Sequence, residues 1–417
     1  MRILILAHGF PPGEPGVWTG AFAAALARRH SVWVYTRGAD PTRPEFTQWE
    51  ERVGHVTVRR VNHTRFDPFA GFDGFRVPPI DRQGLAFAEE IGVDVVHVEH
   101  TYGLSASLPS LLSARGIPTV VSLYDFWTVC QRIYLLRDDG AACAGPSPAE
   151  DCVTCVEAPH EFRQSPRPPA PAWRLPLLEH RQVLMREEVA GAAAVTACSA
   201  SLRDRIAPLL DLPLDRIRVV PLGVPPLPRL PRVPAPDGRL RVRYLGVVAP
   251  HKGVITLAEA AARLADRPVA VHLHGWVHPT IRARLDAISP GLHWHGAYGR
   301  DQLPGILAET DVLVIPSLAA ETFSFVTREA ALADVPVIGS RIGAIAEYLE
   351  HEVSGLLVTP GSVDDLVDAI ERLRLDEPLR RRLATTHGPL RSIDDYTAEM
   401  EAMLVDAART AAERRTR

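Results

Sequence analysis

Lysine is almost missing from this chain: of 46 basic residues among 417, all but one are arginine, and the single lysine is Lys252. An ammonium is a compact point charge and a guanidinium a planar fork, so Lys252 marks the one place with a compact side-chain cation. Excess charge is missing too. The formal net charge is -4, with both signs interspersed, so there is no basic field of the kind nucleic acid or anionic lipid requires. No apolar run approaches the roughly 20 residues that span a bilayer. The opening Met1 to Ala7 is too short for a signal-peptide core and runs into His8-Gly9-Phe10-Pro11-Pro12, which reads as a strand and its turn. The expectation is a cytoplasmic chain without a transmembrane segment. The turn also lacks Gly-Xaa-Gly-Xaa2-Gly, which argues against a nicotinamide-dependent oxidoreductase.

What the chain does have is alternation. β-Branched apolar runs alternate with helix-length amphipathic stretches, the pattern of βαβ units. Strands are expected at Ile3 to Ala7, Ser31 to Tyr35, Val56 to Val61, Val95 to Val98, Thr119 to Leu123, Ala194 to Ala197 and Ile217 to Val220. The segment 225–238 is so rich in proline that neither helix nor central strand can form, and it reads as a linker. After it the pattern restarts, with strands near Arg241 to Leu245, Val269 to His274, Leu292 to Trp294, Val312 to Ile315, Val335 to Ile338 and Gly355 to Val358. The fold class is therefore α/β, two Rossmann-like doubly wound parallel sheets facing across a cleft, with domains at 1–224 and 239–390. A final amphipathic helix within 391–417 either caps the second sheet or crosses back to the first domain.

Several features of the second half converge on a phosphate-bearing ligand. Gly246 ends a strand and Lys252-Gly253 opens the next helix, which sets an ammonium and backbone N–H groups where α/β folds bind ligands. The strand Val312 to Ile315 then delivers a loop with Glu321 and a helix with Glu329. Between them the N–H groups of Thr322, Phe323, Ser324, Phe325 and Val326 lie at a helix N-terminus, able to hold phosphate oxygens. The plain alternative is that Glu321 is a cap and Glu329 an ordinary helix residue. Against it, Glu329 sits in an apolar segment, where an unpaired carboxylate is costly.

Glu321 and Glu329 resemble the paired-glutamate signature, Glu-Xaa7-Glu, of glycosyltransferase family four. The likeness extends over most of the chain: His8 to Pro12, Val219-Val220-Pro221-Leu222-Gly223-Val224, Pro336-Val337-Ile338 with Gly343 and Glu347, and Ser354 to Val358. The resemblance implies the GT-B architecture, with a nucleotide diphosphate sugar (UDP, GDP or dTDP) in the C-terminal domain. A small-molecule or glycan acceptor, in a surface polysaccharide or a secondary metabolite, would lie mostly in the N-terminal one. It implies retaining transfer in the cleft with no cofactor required for catalysis. By that likeness Lys252 neutralises the leaving diphosphate, Glu329 binds ribose, Glu321 meets the donor sugar, and Gly16 lets the backbone approach the donor.

Two positions depart from the family. Val247 follows Gly246 where relatives have arginine; either Arg341 or Arg328 substitutes, or donor affinity is reduced. Tyr124 precedes Asp125 where relatives have histidine; Tyr124 either donates to a sugar hydroxyl or packs in the cleft wall, and Asp125 becomes the alternative base. His97, Glu99 and His100 either face the acceptor or are plain polar residues. These departures keep open a non-catalytic nucleotide-sugar-binding relative; a nucleotide-sugar 2-epimerase shares the architecture but is not expected to have the paired glutamates. Finally, Cys130, Cys143, Cys152 and Cys155 fall in one loop, with Cys198 apart. Four thiolates suffice for a structural zinc site or an iron–sulfur cluster. Disulfides and free buried thiols are the alternatives, the first disfavoured in a cytoplasmic setting.

Overall fold

The computed structural model describes all residues except 12–16, 67–74, 138, 147–148, 158–173 and 417. The first sheet is built from β1 (Arg2–Ala7), β2 (Ser31–Gly38), β3 (Gln48–Val53), β4 (Val56–Asn62), β5 (Val95–Val98), β6 (Thr119–Leu123), β7 (Ala194–Ala197) and β8 (Ile217–Val219), in the order β3-β4-β2-β1-β5-β6-β7-β8. Helices on both faces bury the central strands, and Ile3 to Leu6 are fully enclosed. That is why these strands read as continuous apolar runs rather than alternating ones.

β3 escaped the sequence reading for a physical reason. Its residues, Gln48-Trp49-Glu50-Glu51-Arg52-Val53, are mostly polar, and it pairs antiparallel with β4 at the sheet edge. Glu50 faces Arg59 across the pair and Glu51 bonds Arg60 at 2.6 Å. Charge on an edge strand discourages pairing with another chain, and it also hides the strand from a hydrophobicity scan.

The second sheet comprises β9 (Leu240–Leu245), β10 (Val269–His274), β11 (His293–Gly296), β12 (Val312–Ile315), β13 (Val337–Ser340) and β14 (Leu356–Val358), all parallel, in the order β11-β10-β9-β12-β13-β14. β13 begins two residues later than the sequence suggests, beyond Pro336, which has no N–H to give to the ladder. β11 is likewise shifted from Leu292 to His293.

The segment 225–238 contains no helix or strand and lies along the second sheet's domain: Arg232 pairs with Asp311 at 3.2 Å and Val233 N–H donates to Ala308. The chain returns at Ser392, which bridges Val224 and caps the helix Ile393–Arg415 in a reciprocal capping box with Asp395. That helix packs Tyr396, Met400, Leu404 and Ala407 into the core of the first sheet. The two halves are thus tied twice, beside the cleft.

Candidate active site

The carboxyl ends of β9 and β12 bring one set of charged and polar groups together. Gly253, at φ 73°, lets the turn Pro250–Lys252 pass under the loop after β12; a Cβ there would stand 1.8 Å from the Pro316 carbonyl oxygen, so only glycine fits. This turn aims Lys252 at Glu321. Lys252 Nζ donates to Glu321 Oε1 at 2.7 Å, and Ser317 Oγ donates to the same oxygen at 2.7 Å. Burial pushes the Glu321 carboxyl up, but the Lys252 ammonium and these hydrogen bonds outweigh it and hold the carboxyl below its ordinary value. Gly343, at φ 55°, lies close against Glu321, and Ala344 N–H donates to the Glu321 carbonyl, so the backbone of the acidic residue is fixed as well as its side chain.

Thr322, Phe323 and Ser324 form the turn into the helix Phe325–Leu332, with Ser324 at φ 61° and its hydroxyl 2.6 Å from that of Thr327. Phe325 and Val326 open this helix, so their N–H groups belong to its positive end. Glu329 faces inward at 7% exposure, and Arg300 answers it with a 2.8 Å hydrogen bond to Oε1. Arg300 also donates to the Pro225 carbonyl at 2.8 Å, which ties the proline-rich segment to the same carboxylate. No sequence signal singled out Arg300.

Gly246 directly follows β9 at φ 140°, and Val247 beyond it is a neutral side chain 43% exposed. Of the two arginines named as its substitute, Arg328 is held elsewhere. The Arg328 guanidinium is sandwiched 4.1 Å from the centres of both Phe323 and Tyr348 and donates to the Phe323 and Ser324 carbonyls. It braces the loop from behind. Arg341 donates to the Leu357 carbonyl at 3.3 Å.

Across the cleft, Asp125 accepts from His100 Nε2 at 3.0 Å and from the Trp127 N–H at 2.7 Å. The Tyr102 N–H donates to His100 Nδ1 at 2.9 Å, which assigns the imidazole proton to Nε2. Burial raises the Asp125 carboxyl, and His100 with the Trp127 N–H more than reverses this, so it stays ionised. The His8 ring lies 4.6 Å from that of His100, and burial, reinforced by His100, lowers it to about 3. His8 is therefore neutral at physiological pH.

Tyr124 turns away from a reacting role: its hydroxyl meets that of Tyr396 at 3.0 Å, its ring stands edge-on to Trp18, and burial raises its pKa well above the usual value. His97 differs from the acceptor-facing expectation. It is fully buried in β5, bonded through Nε2 to Ser122 Oγ at 2.8 Å, and cannot reach an acceptor. Glu99 is also enclosed, accepting from Thr19 at 2.6 Å, with burial pushing it up to about 8. Gly16 lies outside the described residues.

Cys130, Cys143, Cys152 and Cys155 are half-buried, form no disulfide and line one cavity, whereas Cys198 is enclosed and donates from Sγ to the Thr322 carbonyl across the domain seam. Among the described residues no three His, Cys, Asp or Glu side chains stand close enough to hold a metal ion. No described helix is long and apolar enough to cross a membrane.

Two parallel-sheet domains with polar groups at facing carboxyl ends of strands have close structural counterparts. Sucrose-phosphate synthase from Thermosynechococcus elongatus superposes with a TM-score of 0.68 at 18% identity, covering 99% of this chain and 97% of that one. An Anabaena protein solved with UDP-glucose superposes with a TM-score of 0.63 at 17% identity, covering 100% and 99%. These likenesses define the class as the GT-B fold. The particular family follows from sequence: residues 16–226 match Glycosyltransferase Family 4 and residues 239–376 match Glycosyl transferases group 1. The chain belongs to glycosyltransferase family four. A GDP-mannose-dependent alpha-(1-6)-phosphatidylinositol monomannoside mannosyltransferase of Mycobacterium tuberculosis is 30% identical over 404 residues, 90% of this chain and 89% of that protein. An MMP alpha-(1->4)-mannosyltransferase of Mycolicibacterium hassiacum is 33% identical over 239 residues, 54% of this chain and 56% of that protein. The matched region spans about half the length of the first curated relatives.

Proposed function

We propose that this chain is a retaining glycosyltransferase that moves a hexose from a nucleotide diphosphate sugar, in the C-terminal domain, to a hydroxyl of a small-molecule or glycan acceptor held against the N-terminal domain. The observation that supports it most is the Lys252–Glu321–Ser317 cluster at the carboxyl ends of β9 and β12. Breaking the anomeric carbon–phosphate bond leaves negative charge on the diphosphate, so a fixed cation there is the largest catalytic term. Lys252, already aimed by its turn, meets that charge together with the N–H groups of Phe325 and Val326. Glu321, held ionised, accepts from hydroxyls of the donor sugar, and Glu329 with Arg300 binds ribose.

In the retaining route the acceptor oxygen bonds to the anomeric carbon on the face the phosphate leaves, and the acceptor proton passes to the departing phosphate oxygen. Tyr124 is not needed as a base in that route, and the His100–Asp125 pair orients the acceptor. GDP-mannose is the first donor to try, because two relatives are named as mannosyltransferases and one of these as GDP-mannose-dependent. A cytoplasmic location, where such donors are made, belongs to the same reading.

The test is to incubate the purified chain with UDP-, GDP- and dTDP-sugars and measure nucleoside diphosphate release, beside Glu321→Ala. Release from one donor family that disappears in the variant supports the reading. A protein that binds a nucleotide sugar without ever cleaving it is a binding module instead.

A further inference from the structure

β11 is an exposed edge of the second sheet, and it meets β10 through a row of imidazoles. The pairing sets His272 against His293 and Leu273 against Trp294, then slips, so that His274 faces Gly296 and His295 falls outside the register. A slip of this kind re-aims a side chain. The His295 ring lies flat over that of His274, centres 4.1 Å apart and planes 1° from parallel, and His295 Nε2 stands 3.0 Å from His272 Nδ1. The His272 ring stacks in turn on His293 at 4.6 Å. At the inner end of the row, Arg243 of β9 lies 3.1 Å from His274 Nε2.

These contacts limit the protons the row can hold. A guanidinium only donates, so His274 Nε2 accepts from Arg243 and the ring proton sits on Nδ1. Between His272 and His295 one nitrogen donates and the other accepts, and a second proton there breaks the bond. Burial first, then Arg243 and the other imidazoles, lower His272 to about 3. Burial, His295 and Arg243 lower His274 to about 3, and burial, Arg243 and His293 lower His295 against the pull of Glu309. Glu309 itself pairs with Arg243 at 2.8 Å. Asp286 and Arg282 lie on the other face of β11, against Trp294. Imidazoles held below their ordinary value of 6.5 secure β11 above that pH and lose their hold as pH falls beneath it, because the released strand takes up protons that the row refuses.

A short turn joins the row to the donor side. The Gly275 N–H donates to the Gly296 carbonyl at 2.7 Å, where β11 ends, and Tyr298 stands edge-on to His274 with centres 6.2 Å apart. Arg300 follows and donates to Glu329 at 2.8 Å. We propose that His272, His274, His293 and His295 are positioning residues for the donor site: the neutral row holds β11 on β10 and thereby seats Arg300 on Glu329, and added protons release the strand and weaken donor binding in mildly acidic solution. The coupling to the donor rests on the reading of Glu329 with Arg300 as the ribose-binding pair.

Hydrogen exchange of the free full chain reads the row without any ligand. After correction for the intrinsic pH dependence of exchange, the amides of 293–300 should lose at least ~tenfold protection between pH 7.5 and pH 5.5, while those of β12 keep theirs. GDP-mannose, whose diphosphate does not titrate in this range, should bind about tenfold more weakly at the lower pH by calorimetry. His295→Phe keeps a ring over His274 and cannot take a proton, so it should match wild-type affinity at pH 7.5 within about twofold and lose most of both pH responses. Flat exchange in wild type, or equal acid responses in wild type and His295→Phe, overturns the proposal. Exchange that rises in acid while affinity holds shows that the row secures β11 without seating Arg300, which overturns the coupling. If GDP-mannose and the UDP- and dTDP-sugars all fail to bind wild type at pH 7.5, the donor reading fails and the coupling with it, and exchange still decides whether the row holds the strand.

Discussion

Lys252 Nζ and Glu321 Oε1 stand 2.7 Å apart, and Glu321 is the only carboxylate hydrogen-bonded to Lys252 among the described residues. The two come from the ends of adjacent strands, β9 and β12, 69 residues apart in the chain. The ammonium holds the carboxyl below its ordinary value, and an incoming anion would have to share the ammonium with the carboxylate. Glu321→Gln removes the charge and keeps the shape. It should cut kcat at least ~100-fold, on the scale of one lost transition-state contact, while nucleotide affinity holds or tightens. Steady-state kinetics beside calorimetry with the nucleotide separate the two effects; parallel losses in kcat and affinity would place Glu321 in nucleotide binding instead.

Arg300 gives a second prediction. Arg300→Ala leaves Glu329 buried with its guanidinium partner removed, which costs on the order of 1–3 kcal/mol, the lower part of that range because Arg300 is partly exposed. Donor KM should rise about tenfold with a smaller change in kcat. Additive effects of Arg300→Ala and Glu329→Gln in a double-mutant cycle would show that the pair does not act as one unit.

The domain seam gives a third. Glu347 accepts from the Ala200 and Ser201 N–H groups at 3.0 and 2.8 Å, so one carboxylate of the C-terminal domain caps the helix Ala200–Ile206 of the N-terminal one. Glu347→Ala should loosen the contact between the two domains, seen as a larger radius of gyration by solution scattering and a slower turnover. An unchanged scattering profile would show that the cap does not hold the domains.

Much of this was legible in the sequence, and where it was not the cause is local. Continuous apolar strands such as β1 and β12 announce themselves, because parallel strands are buried on both faces; β3 hides because its charges are paired across an edge. Lys252 stood out as the one lysine, and the Glu321/Glu329 spacing by resemblance. Arg300 did not: one arginine among many has no mark until the fold brings it to Glu329. His97 and His100, three residues apart, looked alike, but one lies inside β5 and the other just beyond its end. Arg328 looked available and is clamped between two rings.

The buried carboxyls give a fourth prediction. Burial raises Glu99 and Glu188 to about 8 in the fold. Their ordinary value is near 4.5, so between those limits the folded state holds a proton the unfolded chain has released. Each therefore costs stability as pH rises through that window, the sign opposite to that of a salt-bridged acid. Glu99→Gln should gain Tm relative to wild type as pH goes from 5 to 8. A constant difference across that range would show that Glu99 does not titrate there.

A donor site built on Lys252 can be read out by a thermal-shift series with UDP, GDP, dTDP and ADP on wild type and Lys252→Met, since a ligand of the folded state raises Tm by mass action. One nucleotide should stabilise the wild type, and Lys252→Met, folded with an unchanged baseline Tm, should lose most of that response. Equal stabilisation of both proteins, or none of the wild type at millimolar nucleotide, would contradict it.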